Sequence, residues 1–290
     1  MAQQEIPIMM LPRESIAELR FLRRLIIPAL RRLGDRDITI RHHLTGTPFR
    51  LHAFRHKTYW FYGAQREREV MSFAAQIAKP GSQVVDVGAH IGYMSAYFSR
   101  LVGERGRVLA FEPGANNLAY LRANVRNLSN VTIVEKALSN SCGTAKFLLE
   151  DLSGQNNSLI SDAHLQKATA GAFVAATIQT VDVETVTLDS FCAKEGVLPD
   201  LVKIDAEESE LVILQGMREM MRAAKPAIIV EVWDNREAIL ELLFSSGYRV
   251  SNSDLSPVNQ IEDLHTDNVF AVWQEPRHGT GNASRGREYP

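Results

Sequence analysis

The chain has 290 residues, 45% apolar and 23% charged, the balance of an ordinary globular protein with room for one large domain plus appendages. Its 32 basic and 34 acidic residues leave a net charge of −2, which excludes an overall electrostatic drive toward nucleic acid or anionic membrane. Two cysteines, Cys142 and Cys192, neither at metal-ligand spacing, exclude a disulfide framework and read as ordinary reduced thiols. No apolar stretch approaches the roughly 20 residues of a membrane span. The first apolar run, 6–11, is short, contains Pro7 and lacks a secretory layout. A cytoplasmic protein with no integral membrane segment and no nucleic-acid partner is expected.

In chain order, residues 12–33 read as a helix. Ile16, Leu19, Leu22, Leu25, Ile26 and Leu30 recur near helical spacing, Arg20, Arg23, Arg24, Arg31 and Arg32 form a basic face, and Pro28 kinks or divides it. Such a helix either packs as a cap or meets a membrane surface or partner. Residues 37–62 read as short strands with Gly46 and Gly63 as turn signals, and a helix spans 65–78, ended by Pro80-Gly81. From residue 83 strand and helix alternate. Strands are expected at 83–87, 107–112, 131–137, 201–204, 227–232 and 269–273, and helices at 93–102, 116–127, 208–217 and 236–246. Residues 142–188 interrupt this pattern with strands at 145–149 and 183–188 around a polar loop. The pattern predicts an α/β fold, a Rossmann-like, doubly wound and mostly parallel sheet of seven strands with a small N-terminal helix/β cap. The expected division is a helix and β region over 1–64, the main domain over 65–275 and a disordered tail over 276–290.

The strongest local signal is VVDVGAHIGYMS, residues 84–95. A buried strand ends at Asp86-Val87-Gly88-Ala89-His90-Ile91-Gly92 and enters a helix. Gly88 permits a sharp turn and close approach, Gly92 permits close helix packing, and the helix start leaves free N–H groups at the strand ends. A dinucleotide fingerprint needs three glycines, but His90 and Tyr93 stand at the second and third positions, which argues against an NAD-dependent oxidoreductase. S-adenosylmethionine has no pyrophosphate. Asp86 could order the loop or face the donor's ammonium, while loop N–H groups take its carboxylate. The second strand ends in Phe111-Glu112-Pro113, with Glu112 placed 24 residues after Gly88 to accept two ribose hydroxyls.

These residues resemble the FkbM family of S-adenosylmethionine-dependent methyltransferases. The resemblance rests on VDVGAHIG (85–92), FEP (111–113), NVTIVEKALS (130–139), TLD (187–189) and KIDAEESE (203–210), and covers about residues 65–235. It implies a class I methyltransferase-like sheet with S-adenosyl-L-methionine as cofactor. Asp86, Gly88 and Gly92 would shape the methionine pocket with Ala89 and His90 in the same loop. Glu112, followed by Pro113, would hold the ribose. The stretch from Glu135 through Ala137 to Leu138 would lie beside the adenine, and Asp205 would face the sulfonium side. Two positions depart from the family pattern: His90 replaces an Asn, and Glu208-Ser209 replaces Gly-Ala.

Methyl transfer to a hydroxyl needs alignment and removal of a proton. Asp205, Glu207, Glu231 and Asp234 stand at the ends of the fourth and fifth strands. One of these acids, or His90, would be the general base, with Glu207 and Glu231 foremost. Alternatively Asp205, Asp234 and Asn235 hold Mg²⁺, or the acids only cap helices. No bound metal is expected. His42, His43, His52 and His56 lack a completing ligand and read as packing or surface residues. The aromatic run 59–62 either packs the cap or stacks on substrate. The expected activity is O-methylation of a small metabolite or sugar hydroxyl. The alternative is a catalytically silent nucleoside-binding domain within a biosynthetic complex.

Overall fold

Two short antiparallel strands, β1 (Asp37–Arg41) and β2 (Pro48–His52), lead into the helices α1 (Lys57–Phe61) and α2 (Arg68–Ile77). The computed structural model describes residues 32, 34–150, 153–155, 157–159 and 178–275. The expected helix over 12–33, apart from Arg32, and the expected tail after 275 lie outside the described residues. The aromatic run differs from its strand expectation. Tyr59 alone is buried, while Trp60, Phe61 and Tyr62 are 43%, 63% and 45% exposed, one inward face per helical turn rather than every second residue.

The main sheet holds β3 (Gln83–Val87), β4 (Arg107–Phe111), β5 (Val131–Val134), β10 (Leu201–Ile204), β11 (Ala227–Glu231), β12 (Tyr248–Asn252), β13 (Pro257–Val258) and β14 (Asn268–Trp273). Their order is β13-β12-β14-β11-β10-β3-β4-β5. Pairing is parallel from β5 through β11 and antiparallel at β14, β12 and β13. The two-residue β13 adds an eighth strand to the expected seven. β12, whose buried Tyr248, Val250 and Asn252 alternate with more exposed residues, was absent from the sequence expectation. A second sheet, ordered β6-β9-β7-β8, comprises β6 (Ala137–Leu138), β7 (Gly143–Glu150), β8 (Ser158–Leu159) and β9 (Ile178–Val186). The expected single strand over 131–137 is therefore divided: β5 ends at Val134, and Ala137 pairs with β9 instead.

Successive residues of the central strands feed opposite faces, as the pleat requires. Val85, Val87, Leu109, Phe111, Val202, Ile204, Ile228 and Val230 pack with α5 (Leu188–Glu195), α6 (Glu210–Gln215), α7 (Arg218–Ala223) and α8 (Arg236–Ser245). Val84, Val108, Leu201 and Ile229 pack on the other face with α2 and α3 (Tyr93–Val102). Phe49, Leu51 and Tyr59 belong to that same cluster, so the N-terminal strands and α1 share a core with the sheet. α4 (Ala115–Val125) completes this layer over Ala89 and Ala110. The chain runs outward through β3, β4 and β5, then returns to β10 beside β3. This reversal opens a crevice at the carboxyl ends of β3 and β10.

The TLD stretch is a structural joint. Thr187 caps α5 by accepting from Ser190 N–H, while Asp189 accepts from the N–H groups of Glu219 and Met220 at 3.0 and 2.7 Å, at the start of α7. Asp189→Ala is expected to cost about 1–2 kcal/mol by urea unfolding, the loss of a charged helix-start acceptor; unchanged stability would remove this joint from the fold's support.

Candidate active site

A cleft of about 630 Å³ lies over the carboxyl ends of β3, β4, β10 and β11. Gly88, Ala89, His90, Glu112, Pro113, Ala137, Asp205, Glu207 and Glu231 all line it. Three expected residues do not. Asp86 is fully buried behind the loop, Gly92 faces α4, and Glu135 is exposed at the surface and ion-paired with Arg122.

The glycine loop is built by backbone constraints. Gly88 has φ +73°, and a Cβ there would lie 1.8 Å from the Asp205 carbonyl oxygen. The close approach it permits is thus between the β3 and β10 loops, rather than only toward the open cleft. At Gly92, φ +86°, a Cβ would meet Leu121 Cδ1 at 2.7 Å, so this glycine lets the start of α3 sit on α4. His90 is also left-handed, with φ 51°, a conformation that His tolerates better than most side chains.

Glu112 closes the loop from the neighbouring strand. Its carboxylate accepts from His90 N–H at 2.8 Å, Gly114 N–H at 2.8 Å and Asn117 Nδ2 at 3.2 Å. Burial raises its pKa to about 7 against these three hydrogen bonds, which favour the charged form. Asn117 Nδ2 also donates to the Gly154 carbonyl at 3.0 Å, tying the 153–155 segment to the same corner.

His90 is held from two sides. Nε2 lies 3.2 Å from the Ser153 carbonyl, which can only accept, so Nε2 carries the proton. Nδ1 then accepts from Tyr59 O–H at 2.8 Å. Burial lowers the His90 pKa to about 4 and raises that of Tyr59 to about 12, so both are neutral around pH 7.

The acidic side of the cleft comes from β10, β11 and the loops that follow them. Asp205, Glu207 and Glu231 each offer a carboxylate oxygen, and these atoms lie within 4.8 Å of one another. Lys203, whose side chain is 4% exposed, donates from Nζ to Asp205 Oδ2 at 2.8 Å and lies 3.9 Å from Asp86 Oδ1. Burial works against the Asp205 carboxylate, but Lys203 and a hydrogen bond from Glu231 hold its pKa low. Burial and the neighbouring Asp205 charge push Glu231 well above the ordinary carboxylate range, so Glu231 is the protonated member of this pair. Burial, then repulsion from Asp205, Glu210 and Glu208, raises Glu207 to about 8. Among the described residues Glu207 has no hydrogen-bond partner. Glu207 and Glu208 both have positive φ, 42° and 68°.

The helix-cap reading of Asp205 does not hold. α6 starts at Glu210 after Ser209, and Glu210 Oε1 accepts from Ala206 N–H at 3.0 Å. The alternative Mg²⁺ set is altered as well. Asp205 clusters with Glu207 and Glu231, whereas Asp234 lines the cleft and Asn235 does not. Tyr59, Arg66, Glu67, Lys203 and Trp233 also line the cleft, although none carried an assigned role from sequence. The 59–62 aromatic run and the Lys of KIDAEESE were the only signals for two of them. The Arg66 guanidinium lies 4.2 Å above the Tyr59 ring. His42, His52 and His56 are buried packing residues, and none of the four N-terminal histidines lines the cleft.

Gly88→Ala is expected to destabilise the protein by at least about 2 kcal/mol, from a left-handed alanine and its collision with a backbone carbonyl. A thermal melt unchanged from the parent would show that the loops do not need this contact.

The Methyltransferase FkbM domain model matches residues 86–250, more than half of the chain. The methyltransferase sdnD of Sordaria araneosa is 29% identical over 193 residues, covering 58% of this chain and 74% of that protein. A crystal structure of methyltransferase FkbM from Methylobacillus flagellatus is 15% identical, with TM-score 0.45, covering 70% of this chain; the match spans 50% of that protein's length. A SAM-dependent O-methyltransferase structure from Thermotoga maritima is 17% identical, with TM-score 0.42, covering 72% of this chain and 66% of its own. On the family match, the chain belongs to the FkbM family of S-adenosylmethionine-dependent methyltransferases.

Proposed function

We propose that this chain methylates a hydroxyl group of a small metabolite or sugar, with Glu207 as the general base. The observation that carries this reading is the state of the carboxyl cluster. Asp205 is held by Lys203, Glu231 donates its proton in a hydrogen bond to Asp205, and among the described residues Glu207 has no hydrogen-bond partner on the cleft wall. A raised carboxyl is the stronger base once ionised, and a group that titrates near the working pH is suited to proton transfer. His90 is poorly placed for that role, since Tyr59 O–H donates to one ring nitrogen and the other donates its N–H to the Ser153 carbonyl.

The residues present fit the family's cofactor. Glu112 offers a buried carboxylate at the end of β4 for the ribose hydroxyls, with Pro113 beside it. Ala137 and Leu138 give an apolar wall for the adenine. Gly88, Ala89 and His90 form the floor at the methionine end, and the Asp205 carboxylate suits a cationic centre. Asp86 acts from behind, where its Oδ2 accepts from Ser95 Oγ at 2.5 Å and orders the start of α3. When bound, S-adenosylmethionine supplies an electrophilic methyl group on a sulfonium that leaves as a neutral thioether. As the acceptor oxygen forms its bond to that methyl carbon, its O–H becomes acidic and Glu207 takes the proton. The chain's own contribution is alignment, exclusion of water and that proton acceptor.

Glu207→Gln is expected to lower kcat about 10²–10⁴-fold with donor affinity largely kept. Because only the carboxylate is a base, log kcat should rise with pH up to about 8 and level above it. A Glu207→Gln enzyme with parental kcat and pH profile would dismiss Glu207. Donor binding without turnover over a panel of hydroxyl acceptors would favour the silent nucleoside-binding domain.

Glu112→Ala is expected to weaken S-adenosylmethionine binding by about 1–3 kcal/mol in calorimetry, the loss of charged hydrogen bonds. Parental affinity would take Glu112 out of the cofactor site.

A further inference from the structure

We propose that Tyr59, contributed by the N-terminal helix α1, is a positioning residue for the methyl donor and acts through His90. Three distant stretches of chain converge on the His90 residue. Its backbone N–H fastens Glu112 Oε2 at 2.8 Å, its Nε2–H holds the Ser153 carbonyl at 3.2 Å, and its Nδ1 accepts the Tyr59 hydroxyl proton at 2.8 Å. The two rings also stack, with centroids 5.8 Å apart and planes 16° from parallel. Tyr59 is itself fixed. It is 4% exposed, Arg66 covers one face at 4.2 Å, and Phe49 and Tyr93 lie at 6.3 and 5.0 Å.

The direction of these bonds makes the pair interdependent. The Ser153 carbonyl fixes the ring proton on Nε2, so Nδ1 needs a donor, and among the described residues Tyr59 supplies it. Without the phenol hydroxyl, a buried Nδ1 lone pair is left unmet, and the cheapest remedy is rotation of the ring. Rotation releases Ser153 and relaxes the left-handed backbone at residue 90. The N–H that orients Glu112 and the 153–155 segment then both lose their anchor. A side chain that holds the left-handed backbone by itself has no such need. Asn tolerates this conformation and is too short to stack on Tyr59. Tyr59 should therefore matter to donor binding only while residue 90 is His. This inference rests on the reading of Glu112 as the ribose acid, and not on the identity of the acceptor.

The test is a double-mutant cycle on the full chain with Tyr59→Phe, His90→Asn and the pair, read by calorimetry with S-adenosylhomocysteine and by thermal melting. Tyr59→Phe is expected to weaken binding about 5–20-fold, one buried hydrogen bond, and to raise the KM for the donor more than it lowers kcat. In the His90→Asn background the same substitution should change affinity less than about twofold. An equal loss in both backgrounds would overturn the proposal by showing that Tyr59 acts independently of His90, and a lowered melting temperature with parental affinity would overturn it by making Tyr59 a packing residue only. If the variants fail to fold, nitrogen NMR of the parent decides: the imidazole proton is expected on Nε2, and a proton on Nδ1 overturns the proposal. Parental affinity in Glu112→Ala would instead fault the ribose reading, while the Tyr59–His90 coupling would still be read from the cycle.

Discussion

The site depends on one buried ionic joint between the two central strands. Lys203 on β10 and Asp86 on β3 are register partners, and the Lys203 ammonium reaches both Asp86 and Asp205. Burial opposes charge on all three groups. Two carboxylates around one ammonium overcome this at Lys203, whose pKa is raised, while Asp86 is pushed up by its burial despite Lys203 and Ser95. The joint works together with the backbone contact of Gly88 on the Asp205 carbonyl. Between them they set how the glycine loop and the acidic loop face each other. Breaking such a buried set by removing one partner leaves an uncompensated charge, which is why the geometry is over-determined there.

Strain collects at the same place. Glu67, His90, Glu207 and Glu208 all have positive φ and all line the cleft. Non-glycine residues in this region cost free energy and persist only where the surroundings hold them. Glu208 carries the same strain at a position where the resemblance has glycine. A glycine would take φ 68° freely, and here a glutamate takes it and brings a further carboxyl to the cleft wall. At His90 the left-handed residue is held by Glu112 through its N–H and by Tyr59 and Ser153 through its ring.

The carboxyl groups are graded by their surroundings. Asp205 stays ionised through Lys203, whereas burial and the Asp205 charge raise both Glu231 and Glu207. Acids of nearly the same intrinsic strength are thereby driven in opposite directions within 4.8 Å, Asp205 toward the charged form and Glu207 and Glu231 toward the neutral one. The cation in this grading comes from the same strand that carries the motif, so spacing along β10 is part of the electrostatics.

What the sequence by itself determined lies along single strands and their ends. β3 and β10 occupy the expected residues 83–87 and 201–204, because a strand covered on both faces is a short apolar run with sharp ends. Gly88, Glu112 and Asp205 come together because adjacent parallel strands carry their ends to one rim. Only the tertiary structure decided what arrives from elsewhere. Tyr59 reaches His90 across 31 positions of sequence by packing of α1 on the sheet. Glu135 turns outward to Arg122, because the chain leaves the main sheet after Val134. β12 forms because its alternating residues find β14 at long range, a pairing no local period specifies. Local patterns record the burial of a segment, whereas the partner on the other side of a cleft is chosen by how whole layers pack.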